Sequence, residues 1–264
     1  MGWKYNIFEV LPDDVSIWRY MSLWKWQQII KRRALYFANV EEFKDDPFEG
    51  TCCLKLAQQL EEQRKANTED QTAIGCGLSA FLGAVSCWHE NNDESYAMWR
   101  LYASECEGVA IQSTVGKLKI SLPDHGKDPG RLQQYLIGRV QYLDYQSDYF
   151  PGAKQYIPYG LAYYLPLFCK RRNYSYEKEV RFVVTSHDLN EQGPKKGNYL
   201  PVDLSYLIQR VVVSPKFLNA DITCLQREME ACGLNIPIQK SEAQKVPNEV
   251  FKNAIRDVMA KVEV

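Results

Sequence analysis

The sequence predicts an α+β fold with mixed, largely antiparallel sheets and flanking helices. Short runs rich in β-branched and aromatic residues, such as 15–21, 179–184 and 210–214, predict strands, and runs with apolar residues at three- and four-residue spacing, such as 22–30, predict helices. These segments mix without regular strand–helix–strand alternation, which argues against a doubly wound parallel sheet.

Residues 3–10 read as extended or irregular, and 15–21 as the first clear strand. Ser22 then offers an N-cap to a helix whose apolar face is Leu23, Trp26, Ile29 and Ile30. Residues 34–38 predict a second strand, and 45–50 a turn holding Asp46, Pro47, Phe48 and Glu49. A polar helix is expected over 54–66 and an exposed loop over 67–71. Residues 83–88 predict a buried strand, followed by caps at Asn91 to Asp93 and a helix over 95–103. Strands are expected at 108–113, 139–142, 179–184 and 210–214, and a helix within the tyrosine-rich stretch 156–169. Val250, Phe251, Ile255 and Met259 on one face predict a closing helix over 248–262. The expected organisation is one domain over 1–264, with its core about 15–215 and a helical extension over 216–264.

Of the 264 residues, 45% are hydrophobic and 25% charged, ordinary globular composition that excludes a fibrous or disordered chain. The longest apolar stretch, 161–169, is interrupted by Pro166 and too short to span a bilayer. No membrane partner is expected. Met1 to Asn6 hold no apolar segment followed by a small-residue cleavage site, so a cytoplasmic location is expected. The eight cysteines include no C-x-x-C pair and are expected to be free thiols; the three histidines are far apart. No metal is expected. A net charge of −1 leaves nucleic-acid binding to local patches, of which Lys170-Arg171-Arg172 and Lys31-Arg32-Arg33 are the candidates.

Five phrases stand in a recognisable order: Trp18-Arg19-Tyr20; Asp46-Pro47-Phe48-Glu49; Val85-Ser86-Cys87-Trp88; Met98-Trp99-Arg100-Leu101-Tyr102-Ala103 with Gly108-Val109-Ala110-Ile111; and Tyr176-Glu177-Lys178-Glu179-Val180-Arg181. Together they resemble the bacterial domain-of-unknown-function family 2971, over about residues 17–213. More distantly, an E-x-E opening a late strand, an arginine on the first strand and a serine on a middle strand resemble the ADP-ribosyltransferase fold.

The distant resemblance implies an enzyme that consumes NAD and passes ADP-ribose to water or to a macromolecular acceptor, protein or nucleic acid; by analogy, a bacterial phage-defence effector. Glu179 would stabilise the oxocarbenium-like charge on the ribose, and Glu177 would orient or deprotonate the acceptor. Arg19 would pair with the pyrophosphate, Ser86 would fix the ribose or nicotinamide, and Trp88, Tyr102 or Tyr20 would stack on the nicotinamide. Two carboxylates two residues apart on a strand share one face, and so Glu177 and Glu179 are expected to point together. Ser113 competes with Ser86, whose surroundings lack the Ser-Thr-Ser triplet of that fold, and no glycine-rich phosphate loop is present.

Other readings stand beside these. Glu177 to Arg181 also fits a solvated strand edge with alternating charges. Arg19 between Trp18 and Tyr20 fits a structural arginine stacked on rings, and Asp46 and Glu49 fit a turn or a brace for Arg19. His89 leaves a strand, where a structural role is the commoner one. The alternative functions are a noncatalytic nucleotide-sensing or protein-interaction module, and a metal-dependent hydrolase or nuclease using Asp46, Glu49, Glu177 and Glu179.

Overall fold

A computed structural model describes residues 3–43, 46–51, 53–66, 83–103, 106–122, 134–149, 161–185, 197–244 and 255–256. The expected loop at 67–71 and nearly all of the expected closing helix at 248–262 lie outside them.

The fold is α+β, built on a mixed and mostly antiparallel sheet. Its strands in chain order are β1 (Trp3–Asn6), β2 (Ser16–Ser22), β3 (Ala34–Asn39), β4 (Gly83–Glu90), β5 (Gly108–Thr114), β6 (Gln134–Arg139), β9 (Glu179–Thr185), β10 (Asn198–Pro201), β11 (Arg210–Val213) and β12 (Ile238–Lys240). They lie in the order β1-β6-β9-β4-β2-β5-β11-β12, with β3 branching from β4 and carrying β10. Two short strands, β7 (Gln141–Leu143) and β8 (Cys169–Arg171), pair in parallel beside it. Among the described strands of the main sheet, β1–β6 and β11–β12 are the parallel pairs.

The helices follow from local chemistry. In α1 (Leu23–Arg32), Ser22 Oγ accepts from the Lys25 N–H at 3.4 Å, and Trp26, Ile29 and Ile30 are buried. The helix stops where Arg33 turns left-handed at φ 49° and its N–H bonds back to Ile29 and Ile30. The polar helix α2 spans Leu54–Ala66. In α3 (Tyr96–Tyr102) the cap is Ser95, not the expected Asn91 to Asp93, because its hydroxyl is the one that meets the Met98 N–H, at 3.5 Å. Shorter helices α4 (Val115–Ser121) and α5 (Leu204–Leu207) pack together, and α6 (Asn219–Ala231) precedes β12. Residues 216–244 thus add a helix and an edge strand to the same sheet. The expected helix within 156–169 is a 3₁₀ segment over Leu161–Phe168. Among the described residues, no helix is long and apolar enough to cross a membrane.

Alternation along the strands gives the sheet two unlike faces. One face carries Ile17, Met21, Trp88, Ile111, Val180 and Phe182 into the main core, with Trp26, Ile29 and Ile30 of α1 and Leu225 and Met229 of α6. The opposite face holds two smaller clusters, one around Ile7, Val85, Phe168 and Val183 and one around Trp18, Tyr20, Met98 and Trp99. On β9 that second face also carries Glu179 and Arg181, opposite His89 and Cys87 of β4.

A buried carboxylate site

Glu177 does not stand on the strand, as the E-x-E spacing suggested. It ends a 3₁₀ turn, Arg172–Glu177; Lys178 is left-handed at φ 42°, and β9 begins at Glu179. Such a conformation is costly for a residue with a Cβ, about 1–2 kcal/mol, and persists when its surroundings over-determine it. Here three contacts do so. His89 Nδ1 lies 2.6 Å from the Glu177 carbonyl oxygen, the Glu90 N–H donates to the Lys178 carbonyl at 2.9 Å, and the Glu179 N–H donates to Tyr142 Oη at 2.8 Å.

The turn brings both carboxylates onto one ammonium. Lys170 Nζ lies 2.5 Å from Glu177 Oε2, 3.3 Å from Glu179 Oε1 and 3.9 Å from Glu49 Oε2. Arg181 meets Glu179 Oε2 through Nε at 2.5 Å and Glu49 Oε1 through Nη1 at 2.5 Å, and also donates to the Leu167 carbonyl. Tyr102 donates to Glu177 Oε1. Glu177, Glu179 and Arg181 are 1%, 7% and 0% exposed, so the medium is one in which unbalanced charge is expensive.

Among the described residues, the carboxyls of Glu49, Glu177 and Glu179 face two cations, Lys170 and Arg181. The cluster is neutral when one carboxyl keeps a proton, and the geometry selects Glu177. Burial and then the neighbouring Glu179 charge raise the Glu177 carboxyl to about 7. Burial would raise Glu179 as well, but Arg181 and Lys170 outweigh it and hold Glu179 well below the usual carboxylate range. Burial works against the Lys170 cation, and Glu179 and Glu177 together raise it all the same. Burial and the bond to Glu177 keep the Tyr102 phenol protonated. Cys87 is pushed up to about 12, chiefly by burial, and is therefore no thiolate nucleophile.

Glu179 also stands in the wall of an open cavity of about 420 Å³, with Glu90, Asn91, Asn92, Arg139, Val140, Tyr142 and Lys178. Arg139 grips Glu90 with Nε and Nη2 at 2.6 and 2.9 Å and Glu9 with Nη1 at 2.6 Å. The expected strand over 139–142 is interrupted here: β6 ends at Arg139, Val140 breaks the ladder and β7 starts at Gln141, which brings Tyr142 under Glu179.

The other sequence candidates lie apart from this pair. Arg19, Ser86 and Trp88 belong together, with Arg19 Nη1 2.9 Å from Ser86 Oγ, Trp88 Nε1 3.0 Å from the same oxygen, and the Arg19 guanidinium 5.9 Å over the Trp88 ring. They project from the main-core face of the sheet, whereas Glu179 projects from the other, because Ser86 pairs with Phe182 and His89 with Glu179. A cleft shared by Arg19, Ser86 and Glu179 is therefore not formed. Arg19 Nη2 also donates to the Tyr36 carbonyl at 2.8 Å, and Trp88, 1% exposed, is core. Ser113, the competing serine, donates to the Leu207 carbonyl at 2.6 Å beneath β5. Tyr20 packs edge-on against Trp99 at 5.1 Å, with its hydroxyl accepting from the Ser95 N–H. Tyr102 serves Glu177 through its hydroxyl.

The acidic turn braces arginines other than Arg19: Asp46 holds Arg171 at 2.9 Å and Glu49 holds Arg181. The basic run 170–172 is spent in the same way, since Lys170 is buried, Arg171 is tied to Asp46 and Arg172 meets Asp148 at 2.7 Å. Tyr142 is a site residue with no signal in the sequence beyond its strand, and Lys170, Arg181 and His89 enter the site in roles other than the basic patch, the charged strand edge and the structural histidine that the sequence suggests. The strand alternation that pairs Arg181 with Glu179 was the available signal for one of them. Among the described residues, no group of three or more His, Cys, Asp or Glu side chains is disposed to hold a metal ion. No family model matches the chain, and no curated protein matches it.

Proposed function

We propose that the chain is a glycosyl-transfer enzyme of the ADP-ribosyltransferase type, cleaving the N-glycosidic bond of NAD at the Glu177–Glu179 pair. One observation carries this reading: two buried carboxyls, Glu177 and Glu179, converge on one ammonium, and Glu179 borders a cavity; the electrostatics of that arrangement push Glu177 upward and Glu179 downward. Separated titration of neighbouring carboxyls is the pattern that assigns an acid–base role to one and an electrostatic role to the other. The cavity volume falls within the range of small-molecule sites.

In this reading the bond between ribose C1 and the nicotinamide nitrogen breaks, and its electron pair leaves with the nicotinamide. The ionised Glu179 stabilises the positive charge left on the ribose. An acceptor oxygen, of water or of a macromolecule, then attacks C1 while its proton passes to Glu177 in the molecules whose Glu177 is ionised, a form that grows as pH rises through about 7. Arg139 and Lys178, in the cavity wall, are the cations nearest to hand for the phosphates. Arg19 lies across the sheet and takes no part at this pair. Three of the phrases that carry the family resemblance, around Asp46–Glu49, Tyr102 and Glu177–Arg181, meet in this cluster.

A second reading is favoured by the fact that both Glu179 oxygens already meet cations, Lys170 and Arg181. The cluster then only ties β8, β9 and the 46–50 turn together, and the cavity binds a nucleotide or partner without turnover. Incubation with NAD and detection of free nicotinamide, beside thermal-shift titration with NAD and ADP-ribose, separates the two. Nicotinamide release supports the transferase; stabilisation by ligand without release supports the module.

A further inference from the structure

We propose that His89 is the positioning residue of the carboxylate pair, holding the Glu177 carbonyl and thereby setting how firmly Glu177 keeps its proton. A carbonyl can only accept, so at 2.6 Å the His89 ring carries a proton on Nδ1, and a ring that holds a single proton has Nε2 bare. The ring is 5% exposed, stands opposite Glu179 in the β4–β9 register and meets the Tyr20 ring edge-on at 6.3 Å; Nε2 is buried with no partner among the described residues. Burial disfavours the imidazolium, and a second proton on Nε2 would meet no acceptor among the described residues, so the ring stays neutral and its grip on the carbonyl persists over the range in which Glu177 titrates.

Of the three contacts that hold the left-handed turn, this is the one made to Glu177 itself. Glu177 is met by Lys170 from β8 and Tyr102 from α3, with Glu179 of β9, Tyr142 of β7 and Tyr176 of its own turn in electrostatic reach, while Arg181 and Glu49 join the cluster through Glu179 and Lys170; Lys178 and Glu90 are the charges that act on His89. Losing the His89 bond frees the Glu177 peptide and admits water to the carboxyl, while the Lys170 ammonium, which bonds the side chain and not the peptide, stays in reach. Water relieves the burial that raises Glu177, so its titration midpoint falls.

The role in catalysis rests on the acid–base reading above, but the test does not require turnover. Carbon-13 NMR of glutamate-labelled protein follows the Glu177 carboxyl, assigned with Glu177→Gln, and nitrogen-15 NMR follows the His89 ring. The expected wild-type ring is protonated at Nδ1 alone. His89→Ala is expected to lower the Glu177 midpoint by about one pH unit, and His89→Asn, which restores an N–H donor, to return most of the shift. A wild-type ring protonated at Nε2 overturns the proposal, and needs no variant to fold. So does a folded His89→Ala protein with the wild-type midpoint, or an Asn variant that behaves as Ala does. A protein that shows the NMR shifts but releases no nicotinamide keeps the positioning role and loses the transferase.

Discussion

Glu177 and Glu179 approach the same Lys170 ammonium, at 2.5 and 3.3 Å, from the two ends of a left-handed turn, yet they hold protons with opposite tenacity. The asymmetry comes from the second cation. Arg181 bonds Glu179 and Glu49 but not Glu177, so Glu177 carries the proton that balances the cluster.

Arg181→Met should cost about 3–5 kcal/mol of unfolding free energy, because it leaves Glu179 and Glu49 buried beside one cation instead of two. Urea denaturation checks this. A loss below about 1 kcal/mol, the range of exposed pairs, would mean that the cluster is solvated in solution.

The pH dependence of stability has two limbs with opposite signs. Glu177 is raised in the folded state, so its contribution is complete below the usual carboxylate midpoint and is lost as pH climbs through about 7. Glu179 is depressed, so its contribution is present at neutral pH and is lost as acid drives the carboxylate below its ordinary range. Denaturation midpoints measured from pH 3 to 8 should therefore peak between the two. Glu177→Gln should flatten the upper limb; a wild-type stability that rises steadily from pH 5 to 8 contradicts the assignment.

Tyr102→Phe removes the donor to Glu177 Oε1 while keeping the ring, which is 45% exposed. That hydrogen bond favours the ionised carboxylate, so its loss should push the Glu177 midpoint further upward, by roughly one pH unit. Carboxyl NMR reads the shift directly. A downward shift would mean that the hydroxyl accepts from the protonated carboxyl instead of donating to the carboxylate.

Arg19→Ala should leave NAD affinity at the carboxylate site unchanged, since Arg19, Ser86 and Trp88 occupy the other side of the sheet. It should cost about 1–3 kcal/mol of stability through the lost bonds to Ser86 and to the Tyr36 carbonyl. A large drop in NAD affinity with stability retained would return Arg19 to the ligand.

How far the site could be read from the chain depended on periodicity. The strands at 16–22, 108–114 and 179–185, and the Ser22 cap, follow from patterns that local sterics enforce, and they were legible. The same rule misled at Glu177, where a period of two assumed an extended Lys178 that His89, Glu90 and Tyr142 hold left-handed. The common face of Arg19 and Ser86 is a matter of register between β2 and β4, and no spacing within one strand encodes it. Lys170 looked like part of a surface patch because basic runs usually are; only the fold reveals that three carboxyls surround it.

The most direct measurement compares Glu177→Gln and Glu179→Gln in nicotinamide release from NAD, with folding of both variants verified by circular dichroism. The account predicts that Glu179→Gln lowers release about 100- to 1,000-fold. Glu177→Gln should keep release within a few-fold of wild type and lose transfer of ADP-ribose to the acceptor. Near wild-type release by folded Glu179→Gln, or failure of that variant to fold at all, contradicts the account and leaves Glu179 as the ion-pair partner of Arg181 and Lys170.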